Sequence, residues 1–304
     1  MKGLEVLEVN KSPRIEGGYI FNTPEFQSLK AGDLKYYTLN QEGKPIARIC
    51  FTIEHDEAIS GHQATFGSID SKLPLSTGTA QYFLDHVSDL LKREVEKISI
   101  RHWPECYDNA NNWQQIFEKA GFNIINRETD QYLKVTEKDY YQVVNKNQLS
   151  NLKQARDKGY TFSTLDIHEL PIVYGLIKKT LERKGYKVSM TYEGLYKTIS
   201  SLPEKYLLFG IMDNDKLIAA AVSVRVSNEV LYNFYHADEF SYRSTSPMVM
   251  LIKEIYEYCQ RNEIQILDLG ISTENGLINK GLFNFKKSLG CSATEKDTYA
   301  LSYD

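Results

Sequence analysis

Short segments of alternating hydrophobic and polar residues run along the chain, and their order occurs twice. In the first half, the segments 44–53 (KPIARICFTI) and 63–70 (QATFGSID) alternate as strands do, and a long amphipathic stretch follows from Thr79 to Glu96. The strand-like KISIRHW and the helix-like NWQQIFEKAGF come next, and Gly121 is typical of a residue just past a helix end. The pattern predicts strand, strand, helix, strand and helix.

The second half shows the same order of patterns. The segments 216–224 (KLIAAAVSV) and 230–238 (VLYNFYHAD) alternate as strands do, and an amphipathic stretch runs from Pro247 to Arg261. IQILDLG then predicts a strand, and GLFNFKKSLG predicts a helix that ends before Gly290. Because the elements agree in type and order, the sequence predicts a duplicated α/β (α+β) unit.

The spacing of these elements and the length of the chain support a duplication. Gly78 lies 43 residues before Gly121, and Pro247 lies 43 residues before Gly290. The chain has 304 residues, of which 42% are hydrophobic, and is therefore long enough to bury two cores. We expect two domains rather than one.

Composition and charge exclude several classes of protein. A net charge of -4 gives no general attraction to nucleic acid, so no DNA partner is expected. No run reaches the roughly 18 apolar residues of a membrane span, and the N-terminus has no apolar run of signal-peptide length. We therefore expect a cytoplasmic protein. The six histidines form no metal-binding motif, so no metal is expected. The cysteines are far apart, which favours free thiols: Cys50, Cys106, Cys259 and Cys291.

Polar and charged side chains cluster in one strand–loop–helix segment, 268–290 (DLGISTENGLINKGLFNFKKSLG). In its loop, Ser272 and Glu274 can hydrogen-bond a small polar group at the carboxyl end of the strand. An amine must be neutral to attack a carbonyl, and a carboxylate within reach can accept its proton, so Asp268 and Glu274 are candidate proton acceptors. Asp268 has an alternative role, because an acid between two leucines can face the open side of a strand or cap the next turn.

These segments together resemble the GNAT acyltransferases, and in particular the FemABX peptidoglycan aminoacyltransferases and the BioF2-like acetyltransferases. The resemblance rests on 147–159 (NQLSNLKQARDKG), on 246–259 (SPMVMLIKEIYEYC), and above all on LDLGIS followed by GLFNFKKSLG. It covers the second half, and the first half by topology alone. It implies tandem GNAT-like domains, each a mixed, largely antiparallel sheet flanked by helices. The expected domains are a degenerate one at 1–136 and an active one at 137–304.

The resemblance also implies where an acyl donor binds. In a GNAT sheet, the strands that correspond to VLYNFYH and IQILDLG splay apart, and the pantetheine amides of a donor pair with the freed backbone groups. The donor's phosphates bind at the start of the following helix, where free N–H groups and the helix dipole meet. The residues implied as donor contacts are Arg243, Ser244, Thr245, Ser246 and Met248.

The turn before this helix departs from the usual GNAT pattern. Acetyl-CoA-dependent GNAT proteins usually show R/Q-x-x-G-x-G/A there, whereas this turn (YRSTSPM) has no glycine. FemABX relatives that take aminoacyl-tRNA also lack a full glycine signature. This departure keeps aminoacyl-tRNA as the alternative donor, whereas the GNAT resemblance as a whole implies acyl-CoA as co-substrate, with no tightly bound cofactor.

Lys286 is the residue that the resemblance places near the acyl carbonyl, where its charge would stabilise the transition state. The alternative is a surface lysine beside the solvated Lys287. Aligning Gly121 with Gly290 places Phe117 opposite Lys286, so the second half is predicted to be the active one. The acceptor is expected to be a small-molecule or peptide amine. The residues predicted to bind substrate, unless they are packing residues, are Tyr235, His236, Ser272, Phe285 and Tyr299.

Two further observations keep other functions open. The stretch 100–108 (IRHWPECYD) contains His102 and Cys106, which would need a third orienting group to act as a nucleophilic pair. The glycine signature is missing from both halves, which allows a ligand-binding protein that has lost its donor site. The function favoured by the sequence is N-acyl transfer to an amine. The basic stretch 177–187 is interpreted as a solvated helix face.

Overall fold

The structure, a computed structural model, describes residues 3–108, 110–274 and 276–303. These residues form two compact units. Unit 1 comprises the chain up to Thr129 together with the segment from Thr294 onward, and unit 2 comprises Asp130–Ala293. The domains at 1–136 and 137–304 stay a prediction. No helix in the described part of the chain is long and apolar enough to cross a membrane.

Unit 1 contains a mixed sheet and the helices that pack with it. Its elements are β1 (Leu4–Val9), α1 (Pro24–Gln27), β2 (Asp33–Gln41), β3 (Lys44–Glu54), β4 (Glu57–Ser60), β5 (Asp70–Ser71), α2 (Thr77–Leu91), β6 (Lys97–Arg101), α3 (Trp113–Lys119), β7 (Asn123–Lys134) and β15 (Ser292–Ser302). Strands β1 to β4 form an antiparallel meander, β4 is parallel to β6, and β6 is antiparallel to β15. The chain enters unit 2 within β7 and leaves it within β15.

One strand of unit 1 lies elsewhere than the sequence predicts. The segment 63–70 is mostly turns, and the strand that pairs with both β3 and β6 is the shorter β4. Gly61, Gln63 and Ser68 have φ angles of 88°, 49° and 75°. Left-handed backbone cannot continue a pleated ladder, so the alternation in this segment reflects packing of a buried loop. The helix that ends before Gly121 is confirmed as α3.

Unit 2 has the same order of elements, and its strands also form both parallel and antiparallel pairs. Its elements are α4 (Tyr140–Val143), α5 (Lys146–Asp157), β8 (Thr161–Leu165), α6 (Leu170–Arg183), α7 (Tyr192–Ser201), β9 (Tyr206–Asp213), β10 (Lys216–Arg225), β11 (Val230–Asp238), α8 (Pro247–Arg261), β12 (Ile266–Ile271), β13 (Thr273–Glu274), β14 (Leu277–Ile278) and α9 (Lys280–Ser288). Strands β8 to β11 are antiparallel, β11 is parallel to β12, and β12 is antiparallel to residues 130–134 of β7.

Helix α8 forms much of the core of unit 2. Its buried side chains recur at helical spacing, as Met248, Leu251, Ile255 and Cys259 do, and they pack with apolar residues of β9 and β10. The bounds of α8 and β11 are those that the sequence predicts. A helix crossing between the parallel strands β11 and β12 places the start of α8 at the carboxyl end of β11, which is where the cleft described next opens.

Candidate active site

A cleft of about 1090 Å³ opens in unit 2 at the carboxyl ends of β11 and β12. Its border is formed by residues of α5, α6, β11, the start of α8, β13 and α9. Six of the residues that the sequence predicts as site residues border it: His236, Arg243, Ser246, Met248, Glu274 and Phe285. The structure therefore brings together predicted residues from four different elements.

The two parallel strands beside the cleft diverge. Their paired residues are Val230–Tyr232 on β11 and Ile266–Asp268 on β12, although β11 continues to Asp238 and β12 to Ile271. Each strand has an irregularity directly after its last pair. On β11 the register with β10 shifts at Phe234, and on β12 the register with β7 shifts between Asp268 and Ile271. Because a bulge bends its strand, these two irregularities separate the strand ends.

Asp268 and Lys286 both stabilise the irregular end of β12. A carboxylate oxygen of Asp268 accepts a hydrogen bond from Gly270 N at 2.6 Å. The Lys286 Nζ donates to the backbone oxygens of Gly270 at 2.7 Å and of Ile271 at 2.8 Å. Both side chains are buried, with 1% and 2% of Asp268 and Lys286 exposed. The side chains predicted for catalysis thus hold the backbone at the edge of the cleft, and their direct catalytic roles stay predictions.

The electrostatic setting of Lys286 follows from its burial. Burial lowers the pKa of the Lys286 ammonium, and the carboxylates of Asp130 and Asp268 oppose that shift. Ser272 lies in the same buried network, because its hydroxyl donates to Gln131 Oε1 at 2.6 Å. The Gln131 amide in turn donates to a backbone oxygen of α9. The Ser272 hydroxyl is therefore already used in a hydrogen bond within the protein.

His236 lies on the diverging part of β11 and borders the cleft. Its Nδ1 is buried and has no hydrogen-bond partner among the described residues. Burial, together with the charges of Lys286 and Lys184, lowers the pKa of His236 to about 3. The imidazole is therefore neutral at physiological pH.

The start of α8 forms the opposite part of the border. Ser246 has left-handed backbone, with a φ of 54°, and Pro247 occupies the first helical position. Arg243 makes three hydrogen bonds of 3.0 to 3.2 Å with the carboxylate of Asp238. Ser244 is exposed, and Thr245 contacts the Tyr160 hydroxyl at 2.8 Å. Of the five predicted donor contacts, Arg243, Ser246 and Met248 border the cleft.

A free cation also borders the cleft near Arg243. Lys184 is exposed, and no ion pair or hydrogen bond of its side chain occurs within the described residues. The cleft walls partly desolvate its ammonium, and this lowers its pKa, with a further contribution from the Arg243 guanidinium. Lys184 is therefore the cation most available to an anionic ligand.

Glu274 and Tyr235 fix the loop that follows α6. The Tyr186 hydroxyl donates to a carboxylate oxygen of Glu274 at 2.8 Å, and both residues border the cleft. The Tyr235 hydroxyl hydrogen-bonds the Ser189 hydroxyl and accepts from Met190 N at 3.1 Å. Tyr235 therefore orders the loop, whereas Glu274 presents a carboxylate to the cleft.

The remaining predicted residues lie in unit 1. Tyr299 is buried and stacks on Phe117, with ring centroids 4.1 Å apart. His102 is buried and its Nδ1 contacts the Ser68 hydroxyl at 2.7 Å. Both belong to an aromatic cluster around Trp103. Both residues belong to unit 1, whereas the residues that border the cleft belong to unit 2.

Sequence reasoning missed several cleft residues, among them Lys184, Tyr186 and Asp238. Lys184 and Tyr186 lie just past α6 in the basic stretch interpreted as a solvated face, where nothing in the pattern separates one lysine from its neighbours. The place of Asp238 in the cleft could have been predicted, because Asp238 is the last residue of a strand that precedes a predicted phosphate-binding turn. Residues at strand ends of α/β sheets commonly meet at the ligand site.

Comparison of the whole structure with solved structures identifies the fold. FemX superposes with a TM-score of 0.74 and 14% sequence identity, covering 94% of this chain and 92% of FemX. The chain has a GNAT-type fold similar to that of FemX. L-PGS from Bacillus licheniformis matches this GNAT-type chain with a TM-score of 0.59 and 10% identity, covering 93% and 87% of the two chains.

A tandem GNAT protein from the clavulanic acid biosynthesis pathway is a further match to the GNAT-type chain. Its TM-score is 0.51 at 12% identity, and the alignment covers 88% of this chain and 82% of that protein. No protein-family model and no curated protein matches the sequence. At these identities the comparisons show the fold, which agrees with the tandem GNAT-like α/β architecture that the sequence predicts.

Proposed function

We propose that unit 2 transfers an acyl group from an activated donor to an amine acceptor within its cleft. The observation that carries this proposal is the divergence of β11 and β12 after the pair Tyr232–Asp268, directly beside the cleft of a GNAT-type fold. Extended ligands bind to strands by main-chain hydrogen bonds, and the separated ends of β11 and β12 can offer such bonds.

The proposed transfer is a nucleophilic substitution at the carbonyl carbon of the donor. The lone pair of a neutral amine attacks the donor carbonyl carbon, and the carbonyl π electrons move to the oxygen. Collapse of this oxyanion breaks the bond to the donor's sulfur or ester oxygen, which leaves with the electron pair. The amine loses one proton, which the leaving group finally carries. Glu274 supports this reaction because its carboxylate borders the cleft and can accept a proton.

The donor favoured by the diverging strands is an acyl-CoA. The two amides of its pantetheine arm can pair between the strand ends as a short extra strand. Lys184, which makes no ion pair with any described residue, borders the cleft near Arg243 and supplies a charge for the donor's phosphates. The acceptor in this proposal is a small-molecule or peptide amine.

A second donor, an aminoacyl-tRNA, is favoured by the start of α8. Pro247 has no N–H, so the first turn of the helix offers one donor fewer to a pyrophosphate. Arg243 is already bonded to Asp238. Both features weaken the helix start as a pyrophosphate site, and an aminoacyl-tRNA does not require one.

Donor binding and transfer can be tested together. Thermal unfolding is followed with acetyl-CoA, longer acyl-CoAs and aminoacyl-tRNA, because a ligand at a hundred times its Kd stabilises the folded state by about 2.7 kcal/mol. Acyl transfer to a mixture of small amines and peptides is then measured by mass spectrometry. The variant Leu282→Trp places a large side chain in the cleft border, and Leu277→Trp is the matched control because Leu277 is 74% exposed.

We expect stabilisation by one donor class, and transfer that Leu282→Trp abolishes and Leu277→Trp leaves unchanged. Stabilisation by aminoacyl-tRNA, with no effect of any acyl-CoA, would show that the donor is an aminoacyl-tRNA and not an acyl-CoA. Ligand binding without transfer from either donor class would reject the enzyme and support a ligand-binding protein on this fold.

A further inference from the structure

The two ring nitrogens of His236 lie in different environments. Nδ1 is buried and has no partner among the described residues, whereas the residue itself borders the cleft. The edge of the ring that can meet a ligand is therefore the one that carries Nε2. A neutral imidazole has a proton on only one of its nitrogens, so its position decides whether the ring donates or accepts in the cleft.

The burial of Nδ1 places that proton on Nε2. A buried N–H without an acceptor is rarer than an acceptor without a donor, so a proton on the buried Nδ1 is disfavoured. The charges of Lys286 and Lys184 both act on the ring and disfavour its protonated form, that of Lys286 more strongly.

We propose that His236 is a catalytic hydrogen-bond donor whose Nε2–H binds the carbonyl oxygen of the acyl donor and stabilises it as it becomes an oxyanion. This inference rests on the acyl transfer proposed above. The imidazole gains and loses no proton in the step, because the amine proton passes to the leaving group as described. Lys286 is then a positioning residue, whose charge disfavours the protonated imidazole and so keeps the ring neutral.

The chemistry of the cleft agrees with a donor rather than a base. A pKa of about 3 leaves His236 neutral but too weak a base to take a proton from an amine near neutral pH. A fixed donor needs no change of charge, and it acts best where water is excluded. His236 lies on the separated part of β11, beside the place where the donor carbonyl would arrive.

The first test reads the tautomer without any substrate. Two-bond ¹H–¹⁵N NMR spectra of histidine-labelled protein distinguish the two tautomers and the protonated ring, and His236→Gln identifies the signal of His236. We expect a neutral ring with its proton on Nε2 from about pH 5 to 8. The charged groups around the ring are Lys286, Lys184, Asp238, Arg243 and Glu274. A proton on Nδ1, or protonation of His236 in this range, would overturn the proposal.

The second test uses the transfer reaction of the full-length protein. His236→Gln keeps an N–H near the position of Nε2, whereas His236→Ala removes it. We expect His236→Ala to lose about 10²- to 10³-fold in kcat with little change in KM, and His236→Gln to keep most of kcat. The control variant His168→Ala should match the wild type.

The outcomes separate this inference from the proposed function. Wild-type transfer with equal, large losses in both His236 variants would show a proton acceptor instead of a donor. Wild-type transfer unaffected by His236→Ala would reject any role of His236. Absence of wild-type transfer from every donor would reject the acyl transfer itself, and the NMR spectra would still decide the tautomer.

Discussion

At the scale of the residue, Lys286 shows how a buried charge can shape the backbone beside a cleft. Its ammonium bonds two consecutive backbone oxygens and the residue is 2% exposed, so the side chain contributes to the shape of β12. The stabilisation of carbonyl charge that the resemblance implies for Lys286 stays a prediction. We expect any effect of Lys286 on a bound donor to pass through His236, because its charge acts on that ring.

Replacement of the two adjacent lysines of α9 should affect stability very differently. Lys286→Met leaves the oxygens of Gly270 and Ile271, and the nearby Asp130 and Asp268, without their cation. Loss of one partner of a buried charged group typically costs about 3–5 kcal/mol, which we expect for the free energy of unfolding. Lys287→Met, on the exposed side of the same helix, should change it by less than about 0.5 kcal/mol.

Urea unfolding of both variants measures this difference. Similar, small changes would mean that Lys286 keeps its charged end in water. The contrast was readable in the sequence, because Leu282, Phe285, Lys286 and Leu289 follow the spacing of one apolar helix face, and Lys287 does not. What the spacing could not show is the pair of carbonyl oxygens that accepts the charge, since they depend on the irregular end of β12.

At the scale of the element, the irregular end of β12 depends on Gly270. Gly270 has a φ of 78°, and a Cβ there would lie 3.3 Å from the Tyr232 ring. Gly276 has nearly the same φ, 76°, but a Cβ there would have no neighbour within 4 Å. Substitution of Gly276 therefore tests backbone strain alone, whereas substitution of Gly270 tests backbone strain together with crowding at the diverging strands.

Gly276→Ala should lower the free energy of unfolding by about 1–2 kcal/mol, through left-handed strain alone. Gly270→Ala should lower it by more, and it should also weaken donor binding, because Tyr232 or β12 must move where the strands separate. Chemical unfolding and donor titration measure the two effects. Equal losses of stability with unchanged donor affinity would show that the bulge tolerates a side chain.

The sequence predicts the regular elements of the site better than its irregular ones. The alternation of VLYNFYHAD and the apolar face of 247–261 gave β11 and α8 with the observed bounds, because one face of each is buried over its whole length. The bulges at Phe234 and Gly270 and the two-residue strands β13 and β14 leave no periodic signal. The cleft depends on these irregularities, so its shape could not be predicted.

At the scale of the whole molecule, the two units differ from simple halves of the chain. Residues 130–134 of β7 pair with β12 in unit 2, and the segment from Thr294 belongs to unit 1. Two different residue ranges are therefore candidates for an independently folding domain. One is 130–293, which follows the compact unit, and the other is the predicted 137–304.

We expect the fragment 130–293 to be monomeric and to unfold cooperatively. The fragment 137–304 keeps β11 but lacks residues 130–134 of β7, the antiparallel partner of β12, and it carries a segment from unit 1, so an exposed edge of β12 should make it aggregate. Size-exclusion chromatography and circular dichroism distinguish the two. A well-folded 137–304 with an unfolded 130–293 would support the boundary predicted from the sequence.

The diverging strands also bear on how the protein avoids self-association. Past Tyr232 and Asp268, β11 and β12 face each other as two strand edges inside a sheet, and such edges recruit foreign strands and seed fibrils. The bulges turn these edges away from each other, so a straight polypeptide strand can pair with only a short part of them. We expect the gap between the two strand ends to accommodate a thin, flexible ligand chain but not a strand of a second protein molecule.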